Sequence, residues 1–132
     1  MARLDRNAPL TIVLIEDSLL LRETVGAVLG ELAGVKVVGG AADETSAIEL
    51  LQNKQPDLAI VDLELRAGSG LGVLRKLSGN PDRFGRPRAV VFSNHDQVQL
   101  RERCFALGAE RFFDKSTQMD ELLAYVRLAL AN

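Results

Sequence analysis

The chain has 132 residues, 47% of them hydrophobic, which suits one compact globular domain and leaves no room for a second. Sixteen basic and eighteen acidic residues give a net charge of −2, which argues against nucleic-acid binding. A lone cysteine, Cys104, excludes an internal disulfide, and no apolar run approaches the ~18 residues of a membrane helix. We therefore expect a cytoplasmic protein without nucleic-acid or membrane partners, with a polar tail at residues 1–9 and one domain at residues 10–132.

Five apolar runs predict strands, and residues with helical spacing follow each of them. The runs cover residues 10–15, 35–38, 58–61, 88–92 and 111–114. Ser18 predicts the cap of the first helix and Gly34 its end, while Asp43 or Thr45 would open the second helix. Residues 78–87, rich in Gly, Pro and Asn, are expected to form a surface loop.

The last two helices complete the pattern. In the fourth helix, Cys104 falls on a stripe of core positions, so it is interpreted as a small core residue and not a redox centre. Residues 117–120 form a capping-box pattern with Thr117 at the start of the fifth helix. Five strand–helix units joined by right-handed crossovers imply an α/β fold, a doubly wound five-stranded parallel sheet with five helices.

Polar residues follow four of the five predicted strands. Asp62 alone could be a loop residue that caps the next helix. Because the carboxyl ends of parallel strands share one edge of the sheet, however, Asp62 should meet Glu16, Asp17, Ser93 and Lys115. Three neighbouring carboxylates repel unless a cation lies among them, and carboxylate oxygens suit Mg²⁺. A metal, an ammonium and a hydroxyl around a carboxylate nucleophile predict phosphoryl transfer to Asp62.

From residue 10 to residue 131 the chain resembles the receiver domains of two-component response regulators, which implies the flavodoxin-like (βα)5 fold with strand order 2-1-3-4-5. Glu16 and Asp17 look like the family's metal-binding acidic pair and Asp62 like its phosphoacceptor. Ser93 resembles the phosphate-binding hydroxyl and Lys115 the invariant lysine, so Asp62, Ser93 and Lys115 are the expected catalytic residues.

Further positions follow from the same resemblance. The backbone carbonyl of Glu64 would complete the magnesium site with Glu16, Asp17 and Asp62. Gly70 matches the glycine that opens the third helix. Phe112 resembles the aromatic switch residue that turns inward when the hydroxyl, here Ser93, moves onto the phosphoryl group; a plain core aromatic is the alternative.

The resemblance implies a phosphorylatable switch in a phosphorelay. A phosphohistidine of a sensor histidine kinase or a histidine phosphotransfer protein would donate to Asp62 with Mg²⁺. The domain would catalyse only its own phosphorylation and dephosphorylation, and would otherwise not be an enzyme. With no output domain in the sequence, we expect a stand-alone receiver that signals to an unknown downstream protein by protein–protein contacts.

The chain departs from the common family pattern at four places. Arg66 stands where many relatives have a proline in the loop after the phosphoacceptor. Ser116 stands where many have a proline after the lysine, so we predict a trans Lys115–Ser116 bond with the ammonium still directed at the acids. Glu64 and the pair Asn94-His95 flank the attacking water in the family and are candidates for setting the phosphate lifetime, although His95 fits a surface loop equally well.

Two surfaces are expected to bind partners. Val98, Phe105, Tyr125 and Leu128 lie off the core stripes of the fourth and fifth helices, which suggests a partner or a weak homodimer through the fourth helix, fifth strand and fifth helix. A monomer is the alternative state. Leu19 and Leu20 beside the acidic pair suggest docking of the phosphodonor; core contact would explain all these residues equally well.

Three other classes of protein fit the sequence less well. Residues 62–64 faintly resemble the Asp-x-Asp nucleophile of haloacid-dehalogenase-like phosphatases, but the threonine and the cap of that family are missing. A receiver-like scaffold that acts without phosphorylation would normally have lost a site residue, and none is lost. The glycines of residues 68–72 lack the spacing of a dinucleotide-binding loop, and a flavin protein would need a phosphate loop after the first strand.

Overall fold

The computed structural model describes residues 8–94 and 97–131. The strands are β1 (Leu10–Ile15), β2 (Val35–Ala41), β3 (Leu58–Val61), β4 (Arg88–Ser93) and β5 (Phe112–Asp114). The helices are α1 (Leu19–Gly30), α2 (Glu44–Lys54), α3 (Gly70–Gly79), α4 (Val98–Ala106) and α5 (Met119–Ala131).

The five strands form one parallel sheet in the order β2-β1-β3-β4-β5. Successive residues of a strand face opposite sides, so Ile12 and Leu14 pack beneath α1 and α5 whereas Val13 and Ile15 pack with α2, α3 and α4. β3 is buried on both faces along its whole length. The predicted doubly wound α/β fold and its strand order are confirmed.

Helix caps are set largely by short polar side chains. The Ser18 hydroxyl accepts a hydrogen bond from the Leu21 N–H, and the Asp43 carboxylate accepts one from the Ser46 N–H. Both caps agree with the sequence prediction, in which Asp43 is one of two candidates for the second helix. The expectation for Gly34 is wrong, because α1 already ends at Gly30 and Gly34 lies in the following turn with φ of +84°.

The expected surface loop at residues 78–87 is more structured than predicted. α3 continues to Gly79, and a 3-10 helix, Pro81–Phe84, follows it. Phe84 is fully buried in the core beneath α2 and α3. The sequence did not predict that Phe84 is buried, because turn-forming residues surround it and a single aromatic residue makes no periodic pattern.

The surface predictions hold in part. Val98, Phe105 and Leu128 are exposed, as are Leu19 and Leu20 at the start of α1. The expectation for Tyr125 is wrong: it is only 8% exposed, and its ring packs edge-on against Phe113. Among the described residues, no helix has the length and apolar character needed to cross a membrane.

Candidate functional site

The carboxyl ends of β1, β3, β4 and β5 meet at one edge of the sheet, and hydrogen bonds of the ladder type continue past the strands. The Asp62 N–H donates to the Ile15 carbonyl (2.8 Å). On the other side of the site, the Lys115 N–H donates to the Ser93 carbonyl (3.1 Å). The backbone itself therefore fixes the residues that follow each strand, and the five polar residues named from the sequence lie at this edge.

Asp62 is the centre of the resulting cluster. Its side chain is buried, and its two carboxylate oxygens accept hydrogen bonds from different strands. Oδ1 accepts one from the Ser93 hydroxyl (2.9 Å), and Oδ2 accepts one from the Lys115 ammonium (2.7 Å). The Glu64 N–H also points at Oδ1 (3.3 Å). Ser93 ends β4 and Lys115 directly follows β5, so each oxygen of the carboxylate has its own donor and the group is held in one orientation.

Glu16 and Asp17 bring two more carboxylates to Asp62. One ligand oxygen from each of the three acids lies within 4.8 Å of the others. Glu16 also forms an ion pair with Lys115 and accepts a hydrogen bond from the Ser18 N–H (3.0 Å). Three carboxylates thus face one ammonium, which leaves an excess of negative charge that a divalent cation would neutralise.

Burial and the neighbouring charges both shift the pKa values of the cluster. Burial raises the pKa of Glu16, and the neighbouring Asp17 and Asp62 carboxylates add to this effect, although Lys115 opposes it. Burial disfavours the charged form of Lys115, but the hydrogen bonds and charges of Asp62 and Glu16 outweigh it and raise the pKa of the ammonium. Lys115 is therefore a permanent cation of the site.

Lys115 reaches the acids from a turn built by Asp114. The described residues contain no cis peptide bond, so the Lys115–Ser116 bond is trans and its ammonium points at the acids, as predicted. The Asp114 carboxylate accepts hydrogen bonds from the Ser116 N–H (2.8 Å) and hydroxyl (2.6 Å). The Gln118 side chain in turn accepts one from the Asp114 N–H (2.8 Å).

The expected role of Thr117 as the cap of the last helix is wrong. α5 begins at Met119, two residues later, and the Thr117 N–H instead bonds the Asp114 carbonyl. The Gln118 N–H donates to the same carbonyl (2.8 Å), so Thr117 belongs to the turn that precedes α5.

Gly70 meets a steric requirement at the loop after Asp62. A Cβ atom at this position would lie 2.2 Å from the Asp62 carbonyl oxygen and 2.8 Å from the Leu63 Cα. The Gly70 N–H donates to the Leu63 carbonyl (3.0 Å), which holds the two segments at this distance. Any side chain here would displace the backbone that carries Asp62.

Phe112 and the residues after β4 differ in accessibility. Phe112 is buried in the core on the α4 side of the sheet, and the guanidinium of Arg101 lies 5.2 Å from its ring centroid. Asn94 is exposed, as is Glu64. His95 lies outside the described residues. The inward position of Phe112 fits either a core aromatic or the inward state of a switch.

Arg22 is a site residue that the sequence did not reveal. Its guanidinium donates to the Glu16 carbonyl (2.6 Å), and it lines a small cleft together with Leu21, Glu16 and Asp62. The signal in the sequence was a charged residue next to the apolar stripe of α1, which by itself does not distinguish a site residue from a solvated one.

These features define a class of protein: a doubly wound α/β domain whose acidic cluster, hydroxyl and lysine converge at the carboxyl edge of a parallel sheet. The family model of the response regulator receiver domain matches residues 12–127, and the chain belongs to that family.

Individual relatives agree with this assignment. The chain is 31% identical over 135 residues to protein-glutamate methylesterase/protein-glutamine glutaminase 5 of Myxococcus xanthus, covering 92% of this chain and 37% of that protein. It is 31% identical over 130 residues to the nitrate/nitrite response regulator protein NarL of Escherichia coli, covering 97% of this chain and 58% of that one. The signal receiver domain of a NarL response regulator from Mycobacterium tuberculosis superimposes with a TM-score of 0.82 at 26% identity, covering 95% of this chain and 98% of that one.

The chain spans less than two thirds of the length of either curated relative. What it shares with them is therefore the receiver domain, and the activities of the remaining parts of those proteins are not attributed to it.

Proposed function

We propose that this receiver domain accepts a phosphoryl group on Asp62 from a phosphohistidine of a sensor histidine kinase or histidine phosphotransfer protein. The observation that carries the proposal is the Asp62 carboxylate, buried at the edge of the sheet, with Ser93 on one oxygen and Lys115 on the other. In the transfer, a carboxylate oxygen of Asp62 forms the new O–P bond while the P–N bond breaks and the donor imidazole leaves.

The donor groups around Asp62 suit the charge that develops in this reaction. The ammonium of Lys115 and the hydroxyl of Ser93 contact the carboxylate, and each can turn to an oxygen of a phosphoryl group attached there. Lys115 already carries its proton at neutral pH, because its pKa is raised above the ordinary value of 10.5. It therefore supplies a fixed positive charge before and after the transfer.

Glu16, Asp17 and Asp62 fit Mg²⁺, with the Glu64 backbone carbonyl as a fourth protein ligand. Mg²⁺ prefers hard oxygen ligands that carry negative charge, and the three carboxylates supply such oxygens. When bound, Mg²⁺ would neutralise charge on the transferring phosphoryl group and on the acids. Burial is the main cause of the raised pKa of Glu16, and the Asp17 and Asp62 carboxylates add to it, which is consistent with a site that binds a cation.

Phosphorylation would act as a switch through Ser93 and Phe112. The Ser93 hydroxyl is committed to Asp62 in this structure, so a phosphoryl group at Asp62 would give it a new acceptor. Because the Lys115 N–H is bonded to the Ser93 carbonyl, movement at Ser93 is coupled to β5, which carries Phe112. Glu64, Asn94 and His95 are the proposed determinants of how long the phosphoryl group survives.

The test is incubation with Mg²⁺ and acetyl phosphate, followed by intact-mass measurement. We expect the wild type to gain one phosphoryl group, addition of a magnesium chelator to prevent it, and Asp62→Ala to stay unmodified. A matched control, Asp57→Ala, changes an exposed acid at the opposite end of β3 and should be modified like the wild type. An adduct on Asp62→Ala would remove Asp62 as the acceptor, and a wild type that never gains mass would favour a scaffold that acts without phosphorylation.

Signalling would then proceed through protein–protein contacts. Leu19 and Leu20 are exposed beside the acidic pair, where a phosphohistidine donor must approach, and we propose them as donor contacts. Val98, Phe105 and Leu128, exposed on α4 and α5, are the proposed output surface, toward a downstream protein or a second copy in a weak homodimer.

A further inference from the structure

The loop that follows Asp62 is joined to a second loop, the one between β2 and α2. The Arg66 N–H donates to the Ala42 carbonyl (2.9 Å). In the other direction, the Glu44 N–H donates to the Ala67 carbonyl (3.0 Å). Reciprocal backbone hydrogen bonds thus link two loops that are far apart in sequence. Glu44 in one loop and Ser69 in the other are 25 residues apart.

The side chain of Glu44 adds a third bond across this junction. Its Oε1 accepts a hydrogen bond from the N–H of Ser69 (3.0 Å). Ser69 is the N-cap of α3, and its own hydroxyl accepts a hydrogen bond from the Gly72 N–H (3.0 Å). Glu44 therefore holds the backbone of the residue that starts α3, and its negative charge lies at the positive end of that helix.

Two glycines make room for the Glu44 side chain. A Cβ atom at Gly72 would lie 2.1 Å from Glu44 Oε1, and one at Gly68 would lie 2.5 Å from Glu44 Cβ. Gly68 also has a positive φ of +73°, which disfavours other residues. The close fit of Glu44 over the glycines on both sides of Ser69 shows that this contact is built into the packing of the loop.

A short series of contacts leads from Glu44 to the phosphoacceptor. Glu44 holds Ser69, and Ser69 pairs with Glu64 in an antiparallel bridge across the loop. The Glu64 N–H in turn donates to Asp62 Oδ1 (3.3 Å). The same residue, Glu64, presents the backbone carbonyl assigned above as a magnesium ligand.

We propose that Glu44 is a positioning residue for the phosphorylation site: by holding Ser69 it keeps the Glu64 backbone in place beside Asp62 and the metal. This inference rests on the proposed function of Asp62. It also explains how the loop is ordered with Arg66 in place of proline, since the second loop supplies the constraint that a proline ring would have supplied within the chain.

The test compares Glu44→Ala with Glu44→Gln and with Glu49→Ala. Glutamine keeps an acceptor oxygen for the Ser69 N–H but loses the charge, whereas Glu49 is an exposed acid of the same helix. The measurements are the amide exchange rate of Ser69 by NMR and the Mg²⁺ concentration that gives half-maximal phosphorylation by acetyl phosphate. We expect Glu44→Ala to raise both, the second by about threefold to tenfold, and we expect Glu44→Gln and Glu49→Ala to stay near the wild type.

A second variant separates positioning from loss of charge. Gly72→Ala places a methyl group where the Glu44 carboxylate lies, so it should displace Glu44 and reproduce the Mg²⁺ effect of Glu44→Ala. In the Glu44→Ala background the same methyl group has room, and it should add no further effect. Additive effects of the two substitutions would overturn the inference.

The outcomes also separate this inference from the proposed function. If the wild type is phosphorylated on Asp62 while Glu44→Ala shows wild-type Ser69 exchange and wild-type Mg²⁺ dependence, only the role of Glu44 is wrong. If the wild type itself takes up no phosphoryl group, the proposed function fails, and the role of Glu44 in positioning fails with it.

Discussion

Gly70→Ala offers a sharp test of how closely the loop and α3 are packed against the backbone of Asp62. The added Cβ would lie 2.2 Å from the Asp62 carbonyl oxygen and 2.8 Å from the Leu63 Cα. These are backbone atoms of a buried strand end, so no flexible side chain can move aside to relieve the clash. Overpacking that forces a backbone shift costs typically 1–3 kcal/mol, and we expect about 2–3 kcal/mol here.

The cost converts to a shift in the unfolding temperature. At roughly 2.1 cal/mol/K per residue, a chain of 132 residues has an unfolding entropy of about 0.28 kcal/mol/K, so 1 kcal/mol corresponds to about 3.6 °C. Gly70→Ala should therefore lower Tm by about 7–11 °C in a thermal scan followed by circular dichroism.

Gly79→Ala is the matched control, because Gly79 lies in the same helix and a Cβ there would meet nothing within 4 Å. Replacing a helical glycine by alanine stabilises by about 0.5–1 kcal/mol, so Tm should rise by about 2–4 °C. A Gly70→Ala protein as stable as the wild type would show that the loop relaxes freely. Equal destabilisation by both substitutions would show that the helix, and not the contact with Asp62, is responsible.

Three further predictions concern the site lysine, a distant acid and the exposed helices. Lys115→Ala leaves the Asp62 nucleophile in place, so we expect phosphorylation to continue at a lower rate, but the amide chemical shifts of β5 should no longer change when Asp62 is phosphorylated. If those shifts change as in the wild type, Lys115 has no switching role. Burial opposes the ionised form of Glu110, but hydrogen bonds from Tyr125 and Arg88 hold its pKa below the ordinary 4.5. The wild type should therefore be more stable than Glu110→Gln above that pH, by about 1 kcal/mol or less because the Glu110 side chain is 38% exposed. This advantage should be lost as the pH falls through the lowered pKa of Glu110, and a stability difference that stays constant with pH in thermal scans would contradict the prediction. Phe105→Ser with Leu128→Ser should abolish self-association of the phosphorylated protein in sedimentation, with stability changed by less than about 0.5 kcal/mol; unchanged association would exclude these helices as the interface.

The fold could be predicted from the sequence because its central strands, β1, β3 and β4, are buried on both faces along most of their length. A parallel strand such as β3 appears as an unbroken apolar run, and each run ends where the sheet meets solvent. Polar residues just after several runs must then share one edge, which brought Glu16, Asp62 and Lys115 together without any knowledge of side-chain geometry.

The contacts that the sequence could not reveal depend on neighbours created by the fold. In the sequence, Glu44 directly follows the predicted helix cap Asp43, a position at which an exposed acidic residue in the first turn of a helix is common. Its partner Ser69 is 25 residues away, and only the adjacency of two loops makes the contact. Tyr125 carries a hydroxyl that the apolar pattern of α5 does not account for, yet it lies on the buried face of the helix with Leu122 and Val126, where the hydroxyl donates to Glu110 (2.5 Å).

Each of the two loops in which many relatives have proline contains, in this chain, a backbone N–H that donates to a carboxylate. Glu44 accepts from Ser69 in the loop that contains Arg66, and Asp114 accepts from Ser116 in the lysine turn. Proline acts mainly by restricting the unfolded chain, whereas these bonds act in the folded state and depend on an acceptor atom that substitution can remove.

The lysine turn therefore provides a final prediction. Asp114→Ala removes the acceptor of both Ser116 bonds, so the Lys115 ammonium should be less well fixed and phosphorylation of Asp62 by acetyl phosphate should slow by about threefold or more. Asp114→Asn keeps an acceptor oxygen and should stay close to the wild type. The two Ser116 bonds also lower the pKa of Asp114 from 3.8, so the turn should be intact at neutral pH and weaken only as pH falls through that lowered value. Equal rates for Asp114→Ala and the wild type would show that packing around Lys115, and not the carboxylate of Asp114, directs the ammonium to the acids.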